Sequence, residues 1–456
     1  MLLLKAVLIL NLRFRCYSRF SFMSTRYPLY EFVILLVAII LYATAPLYYD
    51  QKYIFTCFSL VLIAFIIYLR AKQFKNYLCF ELIFIIGSLI LYFIYPLFIY
   101  SPNTEYIFSF GLHYDVNLIT KGVAIASVGL VAFFIGNMKH YKVKYKAGNF
   151  ITNNQYLLLF CILLYLIYNL IGGFQYYIDL YKNDVRESTL STYVLLLIQS
   201  AFPLLVFNEF WNKRQLSSYK VSYLSIIVTV FVALHFVVVG SRTNGILLIM
   251  PIVLLVCELF KPQSLKNLVV FFCVGIFSMW AIQILRSGGN FVDYVYEWYD
   301  IISDFLIPNT NTYLSAEIVH KTGPTYGLSI LSQFLAPIPF AQSIVYSLFG
   351  ISIVDASSSH LFTDYIGSTA GMGTNAVADI YLAFSIVGVI LIMFLYGRIV
   401  AYSKVNLWYS YKISLIYLFL SALSIYLIRS SIFYTIRFVF YGVVLALLLC
   451  PRKRIV

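Results

Sequence analysis

Long apolar runs dominate the pattern of hydrophobic and polar positions along the chain. A membrane-spanning helix needs about 20 mostly apolar residues, and such runs recur with few charges near their centres. Their apolar positions are continuous rather than alternating, which excludes a transmembrane β-barrel. The pattern therefore predicts an all-α membrane bundle of about twelve transmembrane helices, at 29–49, 53–69, 78–100, 119–137, 155–173, 191–209, 221–239, 245–260, 268–285, 377–397, 413–428 and 433–450.

One connection is much longer than the others. The segment 286–376 separates the ninth and tenth predicted spans, and its stretches 291–306 and 326–350 are rich in apolar and aromatic residues. Their approximately helical spacing favours order over disorder, and we expect amphipathic helices that cover the bundle at the membrane interface. The predicted organisation is a basic N-terminus at 1–28, spans one to nine at 29–285, the long loop at 286–376, and the last three spans with a basic tail at 377–456.

Composition and charge support a membrane protein with a defined orientation. The chain is 62% hydrophobic and only 11% charged, whereas soluble domains carry about 25% charged residues. With a cytoplasmic N-terminus, cytoplasmic segments hold 23 of the 32 basic residues and 4 of the 18 acidic ones, as the positive-inside rule requires. We therefore expect both termini in the cytoplasm and 286–376 in the periplasm. The net charge of +14 then reflects orientation, and no nucleic-acid partner is expected.

No motif in the sequence indicates a cofactor. The seven cysteines are scattered through apolar stretches, without a CxxC or a Cys/His cluster, so neither a disulfide framework nor a metal site is expected. No HExxH motif or P-loop lies on the predicted outer side. The first ten residues, MLLLKAVLIL, are too short to span a membrane and precede no small-residue cleavage site, so a signal peptide is not expected.

The turn GSRTNG joins two predicted helices on the outer side and contains Arg242. Gly240 suits the position that follows a helix end, and Ser241, Thr243 or Asn244 is able to cap the next helix. A helix N-terminus beside a guanidinium favours binding of a phosphate or diphosphate. The alternative is an arginine that only reaches to the membrane interface.

Three more arginines lie near the predicted outer side. Arg286 ends the ninth span and is open to the same interfacial interpretation, while Arg429 and Arg437 belong to the last hairpin, IRSSIFYTIRF. Arg437 falls inside a predicted span, where a charge costs about 2.5–3.5 kcal/mol. A functional or paired role is therefore favoured for Arg437, with Asp379 or Glu317 as the partner.

Two histidines of the long loop have acidic neighbours at helical spacing. His360 precedes Asp364 by four residues, and His320 follows Glu317 by three. Either carboxylate could orient an imidazole as a general base. Pairs at this spacing also arise by chance on a solvated helix face, so the sequence leaves both interpretations open.

Three features resemble the Wzy-type O-antigen and capsule repeat-unit polymerases. The first is the layout, with one large outer loop before the last three spans. The second is the turn GSRTNGILL at Gly240–Leu248, and the third is the loop exit GMGTNAVADIYLAFSIVGVI at Gly371–Ile390. Asp379 in this exit stands where many members of that family carry glutamate.

The resemblance implies a membrane glycosyltransferase that needs no cofactor and works at the periplasmic face of the bacterial inner membrane. It would transfer the growing chain from undecaprenyl diphosphate onto a new lipid-linked repeat unit, in contact with membrane lipid and with a chain-length regulator protein as a further partner. Arginine stabilises a diphosphate leaving group, and a base accepts the proton of the acceptor hydroxyl. The candidates are Arg242, Arg286, Arg429 and Arg437 for the diphosphate, and His360, His320 and Asp379 for the base.

Two other functions share much of this pattern. An O-antigen ligase has similar topology and chemistry but transfers the chain to a different acceptor. A polysaccharide flippase or transporter also suits twelve spans, although polar residues and broken helices near the membrane centre, with short loops, are typical of that class.

Overall fold

The computed structural model describes residues 27–100, 114–139, 141, 150–179, 189–286, 302, 306–368 and 371–454. The predicted basic N-terminus and most of the amphipathic stretch 291–306 therefore lie outside the described residues. Arg286 is placed by its backbone alone, as the last residue of a helix.

The described part of the chain is almost entirely helical, which confirms the predicted all-α class. The only strands in this part are β1 (Phe150–Thr152) and β2 (Arg452–Arg454), which pair antiparallel. The α-helices are α1 (Tyr27–Thr44), α2 (Gln51–Lys72), α3 (Phe80–Ile94), α4 (Ile119–Met138), α5 (Gln155–Leu170), α6 (Gly173–Asp179), α7 (Thr189–Gln215), α8 (Tyr223–Val238), α9 (Arg242–Leu259), α10 (Leu265–Arg286), α11 (Thr310–Thr322), α12 (Leu331–Leu335), α13 (Ala341–Phe349), α14 (Ser358–Tyr365), α15 (Ala376–Val405), α16 (Tyr411–Ala422) and α17 (Tyr434–Leu449).

Each of the twelve predicted spans overlaps one of these helices. Six helical segments among the described residues are long and apolar enough to cross a membrane, namely Gln51–Lys72, Phe80–Ile99, Val116–Met138, Leu190–Gln215, Arg242–Leu259 and Ala376–Val405. The other six predicted spans coincide with shorter apolar helices of 10–17 described residues. A multi-pass membrane protein follows from this arrangement, whereas twelve crossings and a periplasmic position of 286–376 stay predictions.

The centre of the bundle is the contact between α4 and α15, which pack more extensively than any other pair of described helices. A Cβ atom at Gly136 would collide with the carbonyl oxygen of Phe394, and one at Gly397 would collide with that of Phe133. Small residues let the backbones of membrane helices approach closely. Asn137 strengthens the same contact by donating from Nδ2 to the carbonyl of Gly397 at 3.2 Å.

A loop segment inserts where α15 is interrupted. Ser385 has a φ of 56° and breaks the helical conformation. The carbonyls of Leu382 and Ala383 instead accept hydrogen bonds from the backbone N–H groups of Thr325, at 2.9 Å, and Gly327, at 3.2 Å. Carbonyls buried in a membrane bundle need such partners. The loop after α11 is thereby anchored to the N-terminal part of α15.

The helices of the long loop occupy two different environments. α11 packs against α4 and α15 with its polar residues Asn311, Thr312 and Ser315 buried, so this part of the loop belongs to the bundle core. In contrast, α13 has no buried residue, and Ile344 and Leu348 on one side of it are exposed. The exposed apolar side agrees with the predicted amphipathic character of the stretch 326–350.

Candidate active site

Asp379 lies in the first turn of α15, and its side chain is completely buried. The helix begins there because Asn375 is its N-cap, accepting a hydrogen bond from the backbone N–H of Ala378 at 2.9 Å. Asp379 itself accepts two further hydrogen bonds, from Ser358 Oγ to Oδ1 and from Ser431 Oγ to Oδ2, both at 2.5 Å. Hydrogen bonds to a carboxylate are stronger than those between neutral groups.

These two serines connect different segments of the chain to Asp379. Ser358 is the first residue of α14, which carries His360 two positions later. Ser431 lies between the 3₁₀ turn Tyr426–Arg429 and α17, which carries Arg437. One buried carboxylate therefore holds together the segment with a candidate base and the hairpin with two candidate arginines.

His360 and Arg437 line the same cleft, which has a volume of about 630 Å³. We call it the polar cleft because most of its lining residues have hydroxyl, amide or charged side chains. They come from α12 to α14 and from the start of α17: Ser332, Gln333, Gln342, Ser343, Tyr346, Ser347, Ser352, Ser357, His360, Tyr434 and Arg437. Two predicted site residues that are 77 positions apart in the sequence are thus neighbours of one cavity.

Several polar atoms in the wall of the polar cleft have no partner among the described residues. They are Arg437 Nε, Tyr346 Oη and Ser332 Oγ, all buried. The guanidinium of Arg437 lies over the rings of Tyr434, at 4.2 Å from the centroid, and of Phe438, at 4.9 Å, so its charge is partly stabilised by cation–π contact. Buried donors without partners are rare in native proteins, and these atoms suit a polar ligand or ordered water.

The expected ion pairs of Arg437 are not formed. Asp379 bonds to the two serines, and Glu317 accepts hydrogen bonds from Lys321 Nζ at 2.6 Å and Tyr365 Oη at 2.8 Å. Burial alone would raise the pKa of the Glu317 carboxyl, but these hydrogen bonds hold that pKa below its usual value. Within the described part of the chain, Arg437 has aromatic contacts and no carboxylate partner.

The two histidines differ in their surroundings. His320 is exposed on α11 and lines no cavity described here, and its expected partner Glu317 bonds to Lys321 and Tyr365 instead. His360 is also exposed, but its side chain borders the polar cleft. Among the described side chains, Asp364 makes no hydrogen bond to His360. Both histidines have an acidic residue at helical spacing in the sequence, but only His360 lines the polar cleft. The position at the polar cleft therefore favours His360 as the base.

The turn around Arg242 has the predicted helix-ending conformation. Gly240 has a φ of 96°, the backbone N–H of Ser241 donates to the carbonyl of Phe236 at 2.8 Å, and that of Gly240 donates to Val237 at 3.1 Å. These are the two hydrogen bonds of a Schellman motif. Ser241 occupies the N-cap position of α9, so Arg242 is the first residue of that helix.

Arg242 borders a second cavity, which we call the apolar groove. It has a volume of about 230 Å³ and lies between α9 and α10. Ile425 and Ile428, which follow the end of α16, also line it. Arg429 lines a small adjacent cavity with Thr243, and Ile246 and Ile425 line both. Arg242 and Arg429 therefore line two adjoining cavities. The polar cleft shares no lining residue with the apolar groove.

Some residues of the site were not predicted from the sequence. Ser358 and Ser431, which hold Asp379, and Tyr346 and Tyr434 of the polar cleft were not among the candidates. The serine runs beside His360 and between Arg429 and Arg437 are the sequence signal that could have indicated them.

The family model of the O-antigen polysaccharide polymerase Wzy matches residues 30–453, which is nearly the whole chain. The chain belongs to the Wzy O-antigen polymerase family. No curated protein and no solved structure matches the chain.

Membership in the Wzy family confirms the predicted function as an O-antigen repeat-unit polymerase. The protein is a multi-pass membrane polymerase that acts on lipid-linked oligosaccharide repeat units. No observation favours the ligase or the flippase. For such a substrate, the polar cleft offers polar walls that suit a glycan, and the apolar groove offers an apolar wall that suits a lipid chain.

Proposed function

We propose that this Wzy polymerase is a glycosyltransferase whose reaction takes place in the polar cleft. The donor is the growing glycan on undecaprenyl diphosphate, and the acceptor is a new lipid-linked repeat unit. The observation that carries the proposal is the position of His360 and Arg437 on one cleft, tied through α14 and the last hairpin to the buried carboxylate of Asp379.

In the proposed reaction, a hydroxyl oxygen of the acceptor sugar attacks the anomeric carbon of the donor sugar. The bond from that carbon to the diphosphate oxygen breaks, and the diphosphate keeps the electron pair. His360 accepts the hydroxyl proton as general base, and Arg437 stabilises the negative charge on the leaving diphosphate. A guanidinium that is already in place lowers the barrier to this step, because negative charge develops on the diphosphate as its bond to the sugar breaks.

Asp379 has a different role in this proposal from the base expected by resemblance. Both of its carboxylate oxygens accept hydrogen bonds from serine hydroxyls, and the side chain is 1% exposed. A sugar hydroxyl would have to displace one of these serines to reach it. We therefore assign Asp379 as a positioning residue, with His360, which lines the polar cleft, ahead of His320 as the base.

The orientation we propose is the one expected from charge, with the polar cleft on the periplasmic side of the inner membrane and both termini in the cytoplasm. It is supported by the pairing of β1 with β2, which puts the segment before α5 and the C-terminal tail on the same side of the membrane. The ion pair between Lys404 Nζ and Glu81 Oε2, at 3.3 Å, joins two ends that are both predicted to be cytoplasmic. Reporter fusions at Ser357 test this orientation, and a cytoplasmic signal there would contradict it.

The test of the function is the product formed by Arg437 variants in a deletion strain. We expect Arg437→Ala, at wild-type protein level, to leave lipopolysaccharide capped by a single repeat unit, because the diphosphate loses its counter-charge. Arg452→Ala, on the opposite, predicted cytoplasmic side, is the matched control and keeps long chains. Long chains with Arg437→Ala would contradict the assignment, whereas uncapped core in the deletion strain would indicate a ligase.

A chain-length regulator is a further proposed partner and would change the modal length without abolishing polymer.

A further inference from the structure

The apolar groove combines one cationic end with an otherwise apolar wall. Among the described side chains that line it, Arg242 is the only charged one and Ser278 the only other polar one. The wall is formed chiefly by Ile246, Ile249 and Met250 of α9 and by Phe271, Phe272 and Gly275 of α10. Both helices coincide with predicted membrane spans, so the groove lies among membrane-embedded side chains.

The charge at the groove end matches one class of ligand. Arg242 is the first residue of α9, where the positive end of the helix dipole also favours a negative charge. An isoprenoid chain with a diphosphate at one end has the same succession of an anionic group and an extended apolar part. Because the bilayer interior is as apolar as the groove, the hydrophobic effect does not select this chain, and van der Waals fit to the groove wall has to do so.

We propose that the apolar groove binds the isoprene units next to the diphosphate of the donor lipid, with Arg242 at the phosphate that carries the lipid and Arg437 of the polar cleft at the phosphate that carries the sugar. The proposal rests on the proposed function for the identity of the carrier lipid. It adds to that function a separate binding site for each part of the substrate, the lipid chain and the glycan. The two sites are separate because the apolar groove and the polar cleft have no lining residue in common. The tail is held between α9 and α10, and the sugars extend toward the polar cleft.

Gly275 makes this proposal testable with little disturbance of the fold. A Cβ atom built at Gly275 meets no described atom within 4 Å, so the position faces open space in the groove wall. Gly275→Leu would place its side chain from this open position into the groove. It would also favour the helix, because leucine has a higher helix propensity than glycine. The neighbouring Val274 is 59% exposed, and Val274→Leu is therefore the matched control.

The experiment compares two donors with purified wild type, Gly275→Leu and Val274→Leu in lipid nanodiscs. One donor carries the repeat unit on undecaprenyl diphosphate, and the other carries it on methyl diphosphate, which has no isoprenoid chain to occupy the groove. We expect Gly275→Leu to raise the KM for the long-chain donor about tenfold or more, with no change in the KM for the short one. Val274→Leu should match wild type with both donors.

A binding measurement separates this proposal from the proposed function. Undecaprenyl diphosphate alone should bind to the wild type and to Val274→Leu, and about tenfold more weakly to Gly275→Leu, whether or not the preparation polymerises. Equal binding by all three proteins would overturn the proposal. Displacement of undecaprenyl diphosphate by an equal amount of phosphatidylglycerol would also overturn it, because the groove would then hold an ordinary bilayer lipid. Failure of the wild type to polymerise, with binding intact, would count against the proposed function alone.

Discussion

The polar cleft and the apolar groove each contain an arginine near the predicted outer side, but the two arginines have opposite surroundings. Arg437 lies among serine, glutamine, tyrosine and histidine side chains in a cavity of about 630 Å³. Arg242 borders a cavity of about 230 Å³ whose other described lining side chains are apolar, mostly isoleucine, valine and phenylalanine, apart from Gly275 and Ser278. The surroundings of Arg437 thus suit sugars, whereas those of Arg242 suit a lipid tail.

This difference indicates how a polymerase of lipid-linked units divides its substrate. Sugar hydroxyls need hydrogen-bond partners when they leave water, and the polar cleft offers several, including buried atoms that lack one. An isoprenoid chain needs only a shaped apolar surface. If the division is correct, changes in the polar cleft should lower kcat and changes near the apolar groove should act mainly on donor binding.

The largest effect is expected for His360, on the side of the polar cleft. His360→Gln keeps a polar side chain of similar size but removes the group that accepts a proton. We expect kcat of polymerisation to fall about a thousandfold, as for loss of a general base, with the KM for the donor nearly unchanged. Rates with purified protein and lipid-linked repeat units measure both quantities.

His320→Gln is the matched control for this change, because His320 is an exposed histidine of the same loop that lines no described cavity. It should keep near-wild-type activity. A large loss with His320→Gln and none with His360→Gln would reverse the assignment of the base and contradict the role of the polar cleft.

The next effect is expected for Arg242, on the side of the apolar groove. Arg242→Lys keeps the charge but loses the planar pair of donors that is able to bind two phosphate oxygens at once. Loss of about 3 kcal/mol would lower kcat/KM for the donor about a hundredfold, and both Lys and Ala variants should insert normally yet form little long-chain product. Lipopolysaccharide banding at matched protein level measures this outcome.

Full activity of Arg242→Lys would reduce this role to a requirement for charge. Wild-type chain length with Arg242→Ala would remove it altogether, because an arginine that only reaches the membrane interface is replaceable. Either result would leave the polar cleft unaffected, so the two halves of the comparison are tested independently.

A smaller effect is expected where the two segments of the polar cleft are joined. Ser431→Ala removes one of the two hydroxyls that bond to Asp379, and a hydrogen bond to a charged group contributes about 1.5–3 kcal/mol. We expect at least about a tenfold fall in kcat, with most of the rate restored by Ser431→Thr. Ser430→Ala is the matched control, since this buried serine has no described side-chain bond to Asp379. Equal loss in both alanine variants would point to packing alone.

The parts of this protein that follow from local sequence were predictable, and those that depend on distant contacts were not. Apolar runs indicated where the helices lie, and Gly240 indicated the turn that ends α8, because both depend on neighbouring residues only. The hydrogen bonds to Asp379 join residues 21 and 52 positions apart, and no periodicity encodes them. The pairing of Glu317 was local but misjudged, because Lys321 at the i+4 position and Tyr365 compete with His320 for the carboxylate.

The smallest effect concerns Glu317, away from both cavities. Its pKa is held below the ordinary value of 4.5 by Lys321 and Tyr365, so its contribution to stability is complete above about pH 4.5 and is lost as the pH falls through the lower pKa of the folded protein. Glu317→Gln should therefore lower the melting temperature by roughly 1 °C at pH 7, since partly exposed ion pairs contribute little, and the difference should shrink as the pH is lowered below 4.5. Asp364→Asn, which changes an exposed carboxylate of α14, is the matched control and should leave the melting temperature at pH 7 unchanged. A loss of polymer with Glu317→Gln comparable to that of His360→Gln would mean that the active site extends beyond the polar cleft and includes the exposed end of α11.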